Sequence, residues 1–88
     1  MGIVSQMKDI QHKTLKDLGQ LIKKLRTEKG LSIVEFGYLI EMDKPNVSRL
    51  ENGNTNPTFL TLVRICKALE IELMDLFADF KIITSIKE

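Results

Sequence analysis

Tryptophan is absent, and cysteine, histidine and tyrosine occur once each. The lone Cys66 excludes an intrachain disulfide and a cysteine-cluster metal site. It lies in an apolar helical pattern between Ile65 and Ala68, where a free thiol behaves as a small hydrophobe. His12 has no second His or Cys spaced to share a metal, so a solvated side chain and no cofactor are expected. No Ser/His/Asp or Cys/His set, P-loop, GxGxxG or inward carboxylate pair is present, which argues against an enzyme. No apolar run approaches the roughly 20 residues that span a bilayer. No basic-then-apolar leader opens the chain. A cytoplasmic protein without a membrane partner is expected.

A surplus of one charge sign is missing too. Thirteen cations against twelve anions leave +1. A domain that held nucleic acid by charge alone would be far more basic. Any DNA-binding face must therefore come from sorting cations to one side.

What is there is ordinary for a small globular chain: 88 residues, 43% apolar and 28% charged. That length allows one domain with little surplus stability. Residues 1–13 read as an N-terminal tail, although Ile3, Met7 and Ile10 fall at helical spacing. Thr14-x-x-Asp17 fits a capping box and predicts the start of a first helix. Leu15, Leu18, Leu21, Ile22 and Leu25 form its apolar stripe, and Gly30 ends it.

Residues 31–57 then read as two short capped helices. Ser32-x-x-Glu35 is a second capping box, with Phe36, Gly37 and Ile40 on one face. Asp43 can cap the next helix, and Pro45 falls in its first turn, where a missing N–H costs little. Val47 and Leu50 face inward, and Gly53 closes the element. Such a pair makes a helix-turn-helix, whose second helix can enter the DNA major groove. Thr58 can cap a fourth helix, with Phe59, Leu62, Val63, Cys66 and Leu69 as its inward stripe and Leu60 and Ile65 flanking. A fifth, about residues 72–78, carries Leu73, Leu76 and Phe77. Residues 79–88 form a short C-terminal extension. Its β-branched residues suit a strand, and the spacing of Leu76, Phe80 and Ile83 equally suits a continued helix. The expected fold is all-α: a compact domain of five helices over residues 14–78.

The elements Ile22-x-x-Leu-Arg-x-x-Lys-Gly-Leu-Ser32, Val47-Ser-Arg-Leu-Glu-x-Gly53, Asn56-Pro57, Leu62-Val-Arg-Ile-Cys-Lys-Ala-Leu69 and Leu76-Phe77 occur in order. Together they resemble the lambda-repressor-like, Cro/repressor (XRE-type) helix-turn-helix family over about Leu15 to Phe77. The resemblance implies a transcriptional regulator that binds double-stranded DNA with its third helix. It implies that Arg26 and Glu51 pair and brace the motif. Lys44, Pro45, Asn46 and Arg49 match positions that usually face base edges. Ser32, Ile33, Asn52 and Thr55 match positions that usually meet phosphates. Ile33 stands where the family prefers Gln, which leaves only its backbone N–H for that contact. Glu41 stands where the turn often has Gly, and a left-handed Glu costs about 1–2 kcal/mol.

One helix reads too few base pairs for genomic specificity, so a homodimer on two half-sites is expected. Leu73, Met74, Phe77, Phe80 and Ile83 supply apolar side chains for its interface. The alternative reading is a protein-interaction module, such as an antitoxin or adaptor, that turns the same fold to a protein partner. Ile33, Val34, Tyr38 and Leu39 favour it, being more apolar than an outward helix-two face usually is.

Overall fold

The computed structural model describes residues 2–78, with side chains from Gln6 onward. Five helices follow one another: α1 Gly2–Glu28, α2 Ile33–Ile40, α3 Lys44–Glu51, α4 Phe59–Leu69 and α5 Leu73–Phe77. No strand occurs among the described residues. Every helix contributes to one core. Leu18 and Ile22 enter it from α1, Phe36 and Ile40 from α2, Val47 and Leu50 from α3, Ile65, Cys66 and Leu69 from α4, and Leu76 from α5.

The first helix departs from the expectation. It starts at Gly2 rather than Thr14, so residues 2–13 extend it instead of forming a tail. Nothing in that stretch stops a helix: beyond its first residue it has neither Pro nor Gly. Thr14 is interior, and Asp17 is bonded to Lys13 Nζ at 2.7 Å, a pair four residues apart that spans the expected boundary. Such i,i+4 pairs favour helical continuity.

The fourth helix is also turned relative to its expected stripe. Ile65 is fully buried, whereas Phe59 and Val63 stand exposed. The inward set is Leu62, Ile65, Cys66 and Leu69, with Leu62 partly buried. In a helix apolar on more than one side, periodicity leaves the rotation open, and the packing partners fix it. Thr58 does cap this helix, accepting from Thr61 N–H at 3.1 Å.

Close backbone approach sets the seat of α3. A methyl group on Gly19 would lie 2.5 Å from the carbonyl oxygens of Leu50 and Glu51. One on Gly53 would lie 2.6 Å from Lys16 Cα. The C-terminal end of α3 and its exit loop therefore rest directly on the backbone of α1. Gly53 also takes φ +78, which a residue without Cβ adopts at little cost.

Candidate nucleic-acid interface

Local chemistry builds the two-helix motif. The Ser32 hydroxyl accepts from Glu35 N–H at 3.0 Å, and the Glu35 carboxylate accepts from Ser32 N–H at 2.9 Å. The Ser32 backbone N–H first, and the Ser32 hydroxyl second, favour the charged Glu35 carboxylate and lower its pKa from the ordinary value. The turn runs through Glu41 at φ 60, ψ 45, the left-handed conformation. Met42 N–H donates to the Gly37 carbonyl at 2.8 Å. A Cβ on Gly37 would press within 2.4 Å of the Met42 carbonyl oxygen, so this position admits no side chain without a shift. Asp43 then caps α3 by accepting from Asn46 N–H at 3.1 Å. Pro45 lies in the first turn, where backbone donors have no partner within the helix.

Burial divides α3 in two. Val47, Leu50 and Glu51 are buried, whereas Lys44, Pro45, Asn46 and Arg49 are exposed. Arg49 Nη1 donates to Asn46 Oδ1 at 2.6 Å. The two polar side chains on the outward face are thus held together before any partner arrives. Their spacing of three along a helix could have shown this in the sequence.

The exit side is held by ions. Arg26 Nε donates to Glu51 Oε2 at 2.6 Å, and Nη2 to Oε1 at 3.1 Å. Arg26 Nη1 donates to the Leu31 carbonyl at 2.8 Å, a third bond that the sequence did not signal. One guanidinium thus ties α1, the start of the motif and the end of α3. No buried side-chain N or O among the described residues lacks a partner.

The four positions matched to phosphate contacts flank α3 on both sides. Ser32 and Ile33 lie at the start of α2, and Asn52 and Thr55 in the loop after α3. Ser32 and Asn52 are exposed, and Ile33 and Thr55 half-buried. Ile33 packs its side chain on the core, so its N–H is its polar offering.

Of the five residues expected at a dimer interface, Leu73 is partly buried against the core. Met74 is 78% exposed and Phe77 37%. Phe80 and Ile83 lie outside the described residues. The described α4 adds exposed Phe59 and Leu60, for which periodicity alone predicts inward and flanking places. Among the described residues no group of His, Cys, Asp and Glu could hold a metal. No described helix is long and apolar enough to cross a membrane.

A capped pair of short helices, the second seated by a buried ion pair and offering a polar face, defines a DNA-binding transcriptional regulator. The chain belongs to the XRE-type helix-turn-helix family, whose model matches residues 22–76. It is 39% identical over 64 residues to the control protein C.MunI of a Mycoplasma species, covering 72% of this chain and 86% of that one. It is 38% identical over 58 residues to the ImmF control region 10 kDa protein of Bacillus phage phi105, covering 66% and 64%. Among solved structures it is similar to the restriction-modification controller protein C.AhdI from Aeromonas hydrophila. There the TM-score is 0.71 and the identity 34%, over 74% of this chain and 98% of that chain.

Proposed function

We propose that the chain binds its operator as a homodimer, one α3 in each of two successive major grooves, and acts as the controller of a restriction-modification system. The observation that carries the base-reading part is the outward face of α3, where Arg49 and Asn46 are exposed and hydrogen-bonded to each other. An Arg can bond bidentately to guanine O6 and N7, and an Asn to adenine N6 and N7. Pro45 lies on the same face, and Lys44 stands exposed at the helix start. Ser32, Ile33, Asn52 and Thr55 take the flanking phosphates. The amide N–H of Ile33 serves there, because the start of a helix favours anions.

The dimer reading rests on exposed apolar area. Met74 and Phe77 on α5 and Phe59 and Leu60 on α4 are large hydrophobes left exposed on two helices that pack together. Leu73, Phe80 and Ile83 complete the proposed interface. The controller role rests on coverage: the chain spans 98% of C.AhdI and 86% of C.MunI, against 40% of the transcriptional regulator SlrR of Bacillus subtilis. A cytoplasmic location follows from that role.

Selection of bound duplexes from a random pool tests the reading. Two symmetry-related half-sites are expected, with centres about 34–36 Å apart or a multiple of that. Arg49→Ala should relax one base position in each half-site and cost roughly 1–3 kcal/mol of binding. Asn46→Ala should disturb the same position, because Asn46 holds the Arg49 guanidinium. Unchanged base preference in both variants refutes this orientation of α3. A single half-site together with sedimentation as a monomer refutes the homodimer. A second reading, a surface for a protein partner, draws on Tyr38 and Val34 of α2, which are 84% and 63% exposed. Binding to a protein with no salt-sensitive affinity for duplex DNA would favour it.

A further inference from the structure

We propose that the extended α1 carries an additional DNA-backbone contact, made by Lys16 with His12 and Lys8 on the preceding turns. The proposal rests on the reading that the loop after α3 lies on phosphates. It concerns residues that the family match, which starts at residue 22, does not include.

The loop and the helix touch. Gly53 lies so near α1 that a Cβ there would be 2.6 Å from Lys16 Cα, 2.8 Å from Lys16 N and 3.1 Å from the Leu15 carbonyl carbon. Asn52 and Thr55, the proposed phosphate contacts, are one residue before and two after Gly53. Lys16 therefore stands next to the place where the backbone of the duplex is expected. Its side chain is exposed, and among the described residues it makes no ion pair or hydrogen bond. Lys13, on the turn before it, is committed to its ion pair with Asp17.

Helix geometry extends the site. Residues 8, 12 and 16 are spaced by four, so they share one side of α1. Lys8 and His12 are exposed, like Lys16. From Lys8 to Lys16 the helix rises about 12 Å, whereas a DNA strand offers one phosphate per roughly 3.4 Å of axis. The stripe can therefore reach phosphates beyond the one that the loop holds. Asp9, the acidic residue next to Lys8 in the chain, limits the contact to a few cations. Base edges are out of reach of such a contact, which adds affinity and salt sensitivity and leaves sequence preference alone.

The test compares the wild-type chain, the double variant Lys8→Ala/Lys16→Ala and the charge control Lys67→Ala on α4. Each is titrated with the selected duplex over a range of salt concentrations. All three substitutions suit a helix, and circular dichroism confirms the fold. The log–log salt slope should become shallower by roughly 0.9 for each phosphate no longer neutralised, so by about one to two per protomer and about two to four for the dimer on its duplex. Hydroxyl-radical protection should shrink at the backbone positions next to those held by the loop after α3, with base preference unchanged. Lys67→Ala should keep the wild-type slope and protection. A double variant with wild-type slope and protection overturns the proposal, as does a Lys67→Ala variant whose slope and protection fall as far. If the wild-type chain shows no salt-sensitive duplex binding, the underlying DNA reading fails as well, and the two failures are thereby told apart.

Discussion

Replacing Glu51 with alanine removes the acceptor for two of the three hydrogen bonds made by the Arg26 guanidinium. The two side chains are 7% and 4% exposed, so water cannot take the place of the missing carboxylate without opening the packing. The positive charge then retains only the Leu31 carbonyl. Breaking a buried pair from one side costs about 3–5 kcal/mol, against a total of about 5–15 for a domain. For a chain of this size each kcal/mol moves the melting temperature by roughly 4–8 °C. Glu51→Ala should therefore lower Tm by at least about 12 °C and bring part of the population to the unfolded state at ambient temperature. The companion variant, Arg26→Met/Glu51→Met, replaces both ions by apolar groups and should recover most of the loss, since well-packed hydrophobes often match a buried pair. Thermal and urea melts followed by circular dichroism measure both. A single-variant loss under about 1 kcal/mol, or a double variant less stable than Glu51→Ala, would refute the claim that the pair is dry and geometrically optimised.

Glu41→Gly should raise Tm. It removes a left-handed penalty of about 1–2 kcal/mol, offset by roughly 0.4–1 kcal/mol of extra unfolded-chain entropy. It should also tighten duplex binding by removing an anion beside α3, and a lower Tm would contradict the turn geometry. Ser32→Ala should cost about 0.5–2 kcal/mol through loss of the cap, measured by the same melts. The pH dependence has a definite sign. The Glu35 carboxyl titrates lower in the folded chain than in the unfolded one. Its contribution is therefore fully present above the ordinary carboxylate value and lost as pH falls from there through the lowered folded-state value. Glu35→Gln should flatten that part of an acid titration of stability.

Features legible in the sequence were those decided within a few residues. Ser32 with Glu35, Asp43 with Asn46 and Thr58 with Thr61 are local bonds, and side-chain type announces them. The inward sides of α2 and α3 followed from spacing, because short helices with few apolar residues leave one choice. Thr14 misled for the same local reason: a residue able to cap does so only where the helix has cause to start. The rotation of α4 was hidden because Phe59, Leu60, Val63 and Ile65 surround the helix, and contacts with α2 and α5 decide which turn inward. The seats of Gly19 and Gly53 on their partners were hidden by distance along the chain. A glycine announces room for backbone, without naming whose. The Asn46–Arg49 bond is local as well, and its spacing of three is the signal that could have found it.

The seating of α3 has a consequence for how such a regulator can change over time. Its hold on the domain uses Val47, Leu50, Glu51 and the two bare glycine contacts. Lys44, Asn46 and Arg49 take no part in it. Surface changes of that kind usually shift stability by no more than about 0.5 kcal/mol. If the proposed base-reading face is the one in use, a lineage can therefore rewrite its target sequence by single steps, each leaving a folded protein. Drift at residues 19 or 53, silent as to target, would end the lineage first.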